Sequence, residues 1–267
     1  MRLESIRGKL TQLGRMPPAL WPAFLTGWQG RRQNGFVPCA VAGCRKLLNV
    51  PTADFYESYG FFCEHYQGCR ELDCFLGKLQ PGDVVYDIGA FRGAYSMAAR
   101  LKLDQAISIH AFEPLAKNVE SIRRICALNH FTGIQINALA VGDGNSLTGR
   151  VNEQDAMLRL GDSQTSPTAT DFPSISLDEY VAGGASAPTV IKLDVDGFEL
   201  HVLRGARECL RKHRPRLWME VHPGFLKAQG KSPDDVLKLL RVTGYTVLFF
   251  DDFNLPDSKF SYHIWCE

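Results

Sequence analysis

Asp87, Gly89, Gly93 and Glu113 are the residues whose types and spacing can do chemistry here. The first three lie in Val84-Val85-Tyr86-Asp87-Ile88-Gly89-Ala90-Phe91-Arg92-Gly93, an apolar run that ends in an acid and breaks into glycines before a helical pattern. A strand delivers such a chain to a tight turn, glycines let backbone and ligand approach without a Cβ in the way, and the next helix offers free N–H groups. A dinucleotide site would read G-x-G-x-x-G. Here the order is Asp-x-Gly-x-x-x-Gly, with an acid where phosphate would be repelled, so the turn suits a cationic ligand bearing hydroxyls. The same grammar also serves a purely structural strand-to-helix turn.

Glu113 narrows the choice. Ala106 to Phe112 reads as the next buried strand and ends in Glu113-Pro114, twenty positions past Gly93. An acid at the tip of a second strand accepts both hydroxyls of a ribose; alternatively it is a solvated acid capping the helix that Pro114 opens. S-adenosylmethionine (SAM) has an ammonium, a sulfonium, a ribose and no phosphate, and fits both acids. Asp87 is expected near its methionine end, directly or through water.

Two more strand ends are rich in polar groups. Thr189 to Leu193 runs into Asp194-Val195-Asp196-Gly197-Phe198-Glu199, and Leu217-Trp218-Met219 runs into Glu220-Val221-His222-Pro223. Strand alternation sends Asp194 and Asp196 to one side, and likewise Glu220 and His222. Glu199 also suits the dipole at a helix start. Lys192 is expensive to bury, so it is expected to pair with one of these acids. His222 has a carboxylate neighbour and an intrinsic pKa near neutrality, although a lone His also serves structure.

The elements that position these residues alternate. Strand and helix patterns succeed one another at 84–88, 93–102, 106–112, 115–129, 133–141, 189–195, 198–212, 216–221, 232–243 and 245–250, with a last strand at 260–266 expected antiparallel beside 245–250. This predicts an α/β fold, a doubly wound and mostly parallel sheet. Ligands of such sheets bind outside the carboxyl ends of the strands. The polar stretch 142–174 is long for a connector and is expected to form a lid beside the site. Residues 1–80, with Pro17-Pro18, Pro22, Pro38 and Pro51 among aromatics, read as a helical or irregular cap, and 81–267 as the catalytic domain; 1–15 forms a short amphipathic helix.

Composition sets bounds. The 267 residues, 45% hydrophobic, suffice for an α/β core of about 180–190 residues plus an extension. Thirty basic against 29 acidic residues leave a formal charge of +1, no electrostatic footprint for nucleic acid or an anionic membrane. No apolar run approaches the ~20 residues of a membrane span, and a cytoplasmic protein is expected. The eight cysteines lack paired C-x-x-C spacing and read as reduced thiols, with no residue assigned as a metal ligand.

The ordered motifs Pro81-Gly82-Asp83 to Ala90, Ala111-Phe112-Glu113-Pro114, Asn137 to Asp143, Ser176-Leu177-Asp178, Ile191 to Glu199 with Val202-Leu203-Arg204-Gly205-Ala206, and Glu220-Val221-His222 resemble the FkbM family of SAM-dependent methyltransferases. The resemblance covers roughly residues 55–250. It implies a seven-stranded Rossmann-like sheet and methyl transfer to a hydroxyl of a sugar, glycan or other small natural product. It puts Asp87, Gly89, Ala90, Gly93, Glu113 and Pro114 at the cofactor, Asn137 near its adenine, and Asp194, His222, Asp196 and Glu220 at the acceptor. Asp194 or His222 would be the base, with Asp196 and Glu220 orienting it or completing an oxygen-rich Mg²⁺ site. The family commonly has Asn where Phe91 stands and Glu where Asp196 stands. An NAD-dependent oxidoreductase and a SAM-binding scaffold without catalysis are the alternatives, the first opposed by the missing third glycine. Protein or nucleic-acid N-methylation lacks an Asn-Pro-Pro-Tyr-like motif and a basic stripe.

Overall fold

The computed structural model describes residues 35–39, 41, 44, 46–55, 66–144, 147–152, 157–160, 170–249 and 261–267. The expected amphipathic helix at 1–15 lies outside them. The chain divides into two compact units, 1–82 with 92–108 and 119–134, and 83–91 with 109–118 and 135–267.

In the first unit, Phe36–Cys39 (β1) and Leu48–Pro51 (β2) form an antiparallel hairpin, a feature the proline-rich sequence did not announce. The helix Tyr66–Lys78 follows, inside the helical spacing read over 59–79, of which 59–65 lie outside the described residues. Phe75 meets Tyr95 edge to face at 5.1 Å. A buried polar knot holds this unit: Asp54 Oδ1 accepts from Arg92 Nη1 and from Ser121 Oγ, both at 2.7 Å.

The second unit carries the seven-stranded sheet, apart from Ser108 and Ile134. Its strands are Val84–Ile88 (β3), Ser108–Phe112 (β4), Ile134–Asn137 (β5), Val190–Leu193 (β11), Arg216–Val221 (β12), Val247–Phe249 (β13) and Tyr262–Cys266 (β14), in the order β13-β14-β12-β11-β3-β4-β5. β11 runs parallel to both β3 and β12, while β14 is antiparallel to β12 and β13. β11 and β14 are buried at every position, as strands covered on both faces must be, and their Ile191, Leu193, Tyr262, Ile264 and Cys266 join Tyr86, Ile88, Leu217 and Met219 in one core. From β3 the chain first builds outward through β4 and β5, then returns to add β11 on the other side. The strand order therefore reverses between β3 and β11, which opens a crevice above that point.

Three segments depart from the pattern read in the sequence. The strand expected over 133–141 is two: after Asn137 the chain leaves the main sheet, and Ala140–Gly142 (β6) pairs in parallel with Ser174–Ser176 (β10). The stretch 142–174 holds a three-stranded antiparallel sheet of Leu147–Asn152 (β7), Met157–Leu160 (β8) and Thr170–Phe172 (β9). The helix expected over 198–212 is broken into Glu199–Arg204 and Arg207–His213. A Cβ at Gly205 would lie 1.9 Å from the Gly142 carbonyl oxygen, so two backbones meet there. Asp178 seals the break by accepting from the amides of Glu208 (3.0 Å) and Cys209 (2.8 Å), donors a continuous helix would have satisfied itself.

Candidate active site

The end of β3 sets the floor of the site. Gly89 has φ +72°, and a Cβ there would stand 1.8 Å from the Asp194 carbonyl oxygen. The missing side chain makes room for the neighbouring strand end, which brings Asp194 against the turn. Gly93, at φ +80°, leads into the helix Ala94–Leu103, where Ile122 and Met97 occupy the space beside it. Phe91, between the glycines, also has positive φ, at +51°. Left-handed backbone is tolerated by Asn far better than by an aromatic residue, so Phe91 carries strain where the FkbM pattern has Asn.

Glu113 is only 5% exposed and reaches back to that turn. Its Oε2 accepts from the Phe91 amide at 2.9 Å, and its Oε1 from the Leu115 amide at 2.9 Å and Asn118 Nδ2 at 3.2 Å. A carboxylate offers about four acceptor positions, so Oε2 retains capacity for one more donor. Burial pushes its pKa up, against the hydrogen bonds from Leu115, Asn118 and Phe91 and the charge of Lys192, to about 7.

An open cleft lies at the sheet's reversal point. Of the expected residues, Gly89, Glu113, Pro114, Asp194 and Asp196 line it. Phe91, Phe112, Val141 and Phe198 supply apolar walls, and Asn118 a polar one. None of these last five was read as a site residue. Asn118 had a signal, lying five positions after Glu113 at a helix start, and Phe91 had one in the glycine turn that holds it; Phe112, Val141 and Phe198 had none, since a buried apolar residue reads first as core.

Other expected residues stand behind the wall. Asp87 is buried with its Oδ1 3.5 Å from Lys192 Nζ. Lys192 in turn donates to the Gly89 carbonyl at 2.9 Å and to Asp194 Oδ2 at 3.3 Å. The lysine thus pairs with acids of two strands and ties the glycine turn to the end of β11. Burial opposes its charge, but Asp194 and Asp87 outweigh it and raise its pKa. The Ala90 amide donates to the Phe112 carbonyl at 3.0 Å. Asn137 is engaged elsewhere: its carbonyl accepts from the Glu113 amide at 3.1 Å, and its side chain accepts from Tyr180 Oη at 3.1 Å.

His222, at the end of β12, gathers the acids. Its Nδ1 lies 2.9 Å from Glu199 Oε1, which also accepts from the Gly197 amide at 3.1 Å. Its Nε2 stands 3.5 Å from Asp196 Oδ1, 3.5 Å from Glu220 Oε1 and 3.7 Å from Asp194 Oδ1. Burial would lower the ring's pKa; the Glu199 hydrogen bond and the charges of Asp194, Glu220 and Glu199 outweigh it and raise it to about 9. Glu220 accepts from Ser261 Oγ and lies 3.5 Å from His263 Nε2; burial is outweighed by the His263 hydrogen bond and charge, which hold its pKa well below the carboxylate range. The turn after β11 makes this convergence possible. Asp196 (φ +45°) and Gly197 (φ +93°) are both left-handed, and Asp is among the few side chains that tolerate that region, which suits it to the place where the family commonly has Glu. Glu199, fully buried, is therefore more than a helix-dipole residue: it holds the ring of His222.

Comparison with known proteins gives a consistent kinship. A family model described as the methyltransferase FkbM domain matches residues 87–247. The chain is similar to the 31-O-demethyl-FK506 methyltransferase FkbM of Streptomyces tacrolimicus, at 24% identity, with 66% of this chain and 77% of that protein covered. It is similar to the hexuronic acid methyltransferase AglP of Haloferax volcanii, at 28% identity, covering 62% of this chain and 64% of that one. Among solved structures, methyltransferase FkbM from Methylobacillus flagellatus KT aligns with 72% of this chain and 45% of its own length, at 20% identity and a TM-score of 0.47. The chain thus spans less than two thirds of AglP and under half of the solved FkbM protein.

Proposed function

The chain belongs to the FkbM methyltransferase family, and from that premise we propose that it transfers a methyl group from SAM to a hydroxyl of a sugar, glycan or natural product. The observation that carries this reading is Glu113, a carboxylate with spare acceptor capacity set in a cleft wall that also presents Asp194. The names of two relatives, which act on demethyl-FK506 and on a hexuronic acid, support the acceptor class.

When bound, SAM supplies a methyl group on a sulfonium centre, open to in-line displacement. Glu113 accepts from the ribose, and Phe91, Phe112, Val141 and Phe198 give the base an apolar slot. Asp87 acts from behind, through Lys192, by fixing the turn at Gly89. Most of the rate gain comes from holding the acceptor oxygen in line. Asp194, the carboxylate on the cleft wall nearest Lys192, takes the hydroxyl proton as the new bond forms. Lys192 holds that carboxylate in place, and Asp196 faces the same space. No helix among the described residues is long and apolar enough to cross a membrane. We place the reaction in the cytoplasm, with no nucleic-acid partner.

Titration calorimetry with S-adenosylhomocysteine tests the cofactor half. Glu113→Gln is expected to weaken binding about 10–100-fold, the worth of a hydrogen bond to a buried charged group. The pH dependence has a definite sign. Because the ribose is received by the carboxylate and the Glu113 pKa lies about 7, affinity should be flat above that pH. Below it, affinity should fall by up to about tenfold per unit, and Glu113→Gln should abolish the slope. A wild-type chain that binds no S-adenosylhomocysteine would falsify the assignment. For the acceptor, labelled methyl transfer to a panel of uronic acids, oligosaccharides and macrolide polyols is expected to mark a hydroxyl; cofactor binding with transfer to none of them would favour a scaffold.

A further inference from the structure

His222 is more than nine-tenths buried, and its two ring nitrogens are treated differently. Nδ1 is held by Glu199, whereas Nε2 makes no hydrogen bond among the described residues and points among the oxygens of Asp194, Asp196 and Glu220. One donor atom from each of Asp194, Glu220 and His222 falls within 4.8 Å of the others. Donors bound at about 2.0–2.2 Å to one cation lie about 3–4.4 Å apart, so a small side-chain adjustment closes the set.

We propose that Asp194, Glu220 and His222 bind one divalent cation beside the cleft, with Glu199 as the positioning residue that orients the imidazole. A metal-binding histidine characteristically has its other nitrogen tied to a carboxylate, which fixes both ring orientation and tautomer; Glu199, fully buried and anchored by the Gly197 amide, has that relation to His222. One imidazole with two carboxylates selects a cation that takes mixed nitrogen and oxygen ligands, such as Mn²⁺ or Zn²⁺, over Mg²⁺, which prefers oxygen and water. Four carboxylates, Asp194, Asp196, Glu199 and Glu220, converge where Lys192, His222 and His263 are the neighbouring basic groups, so a further positive charge is favoured. Because Asp194 also lines the cleft, the cation would meet the acceptor oxygen and ease loss of its proton to the carboxylate. That last role rests on the methyl-transfer reading; cation binding does not.

The test titrates Mn²⁺ alone into the chelator-stripped full chain and follows the free ion by electron paramagnetic resonance. One bound equivalent is expected. Asp194→Asn, Glu220→Gln and His222→Gln should each weaken binding at least about tenfold, and Glu199→Gln about 10–100-fold. Glu208→Gln, on an exposed helix surface, should match wild type. Wild-type protein that binds no Mn²⁺ at about 1 mM, or site variants that bind it as wild type does, would overturn the proposal. The wild-type titration alone decides if a variant fails to fold. Calorimetry with S-adenosylhomocysteine on the same samples separates the two readings: Mn²⁺ bound without it leaves the cation site and removes the methyl-transfer assignment, whereas the reverse removes only the cation site.

Discussion

Asp194→Asn should cut the turnover number for methyl transfer about 10²–10⁴-fold, the range for removing a group that takes a proton in the transition state. Asparagine keeps the size and the position at the end of β11, but its amide is a far weaker proton acceptor. The change should fall on turnover rather than on cofactor affinity, because Glu113 and its three donors lie on other elements. Lys192 would retain Asp87 at 3.5 Å, so its buried charge is not left unpaired. Single-turnover kinetics with labelled cofactor, with acceptor saturating, measures this. Turnover within about threefold of wild type would remove Asp194 from the proton-accepting role.

Gly89→Ala is the second large effect, and it acts on folding. The new methyl group would stand 1.8 Å from the Asp194 carbonyl oxygen, a backbone atom that no rotamer change can move, at a backbone φ of +72°. Left-handed strain and overpacking each cost about 1–3 kcal/mol. Together they predict a loss of about 3 kcal/mol or more, a fall in melting temperature of roughly 10 °C. Gly77 offers the contrast: it lies in the helix Tyr66–Lys78, where an added methyl group would meet no described atom within 4 Å, and Gly77→Ala should stabilise by about 0.5–1 kcal/mol. Thermal unfolding followed by circular dichroism checks both. If the two variants melted alike, the close approach of β11 to the glycine turn would not be the reason for Gly89.

Much of the site was legible because it is written locally. Asp87, Glu113, Asp194 and Glu220 each close an apolar run, and in a parallel sheet all such ends fall on one edge. The last strand's antiparallel place beside Val247–Phe249 followed from alternation, although its insertion between that strand and β12 did not. Segments that failed did so where long-range partners override local preference. The helix break at Gly205–Ala206 exists because Gly142 passes close by and Asp178 caps the second half from outside. The strand at 133–141 divides because Ala140–Gly142 finds its partner at Ser174–Ser176.

By itself the sequence determined the α/β class, the strand-end acids and the spacing of Gly93 and Glu113, because periodicity and turn chemistry act over a few residues. Only the tertiary structure decided how the charges are shared: that Asp87 faces Lys192 rather than the cleft, that Glu199 holds His222, and that three further carboxylates meet its Nε2. Buried charges must find partners wherever the fold brings them: Asp87 meets Lys192 from another strand, and Glu199 and His222 stand 23 positions apart in the chain.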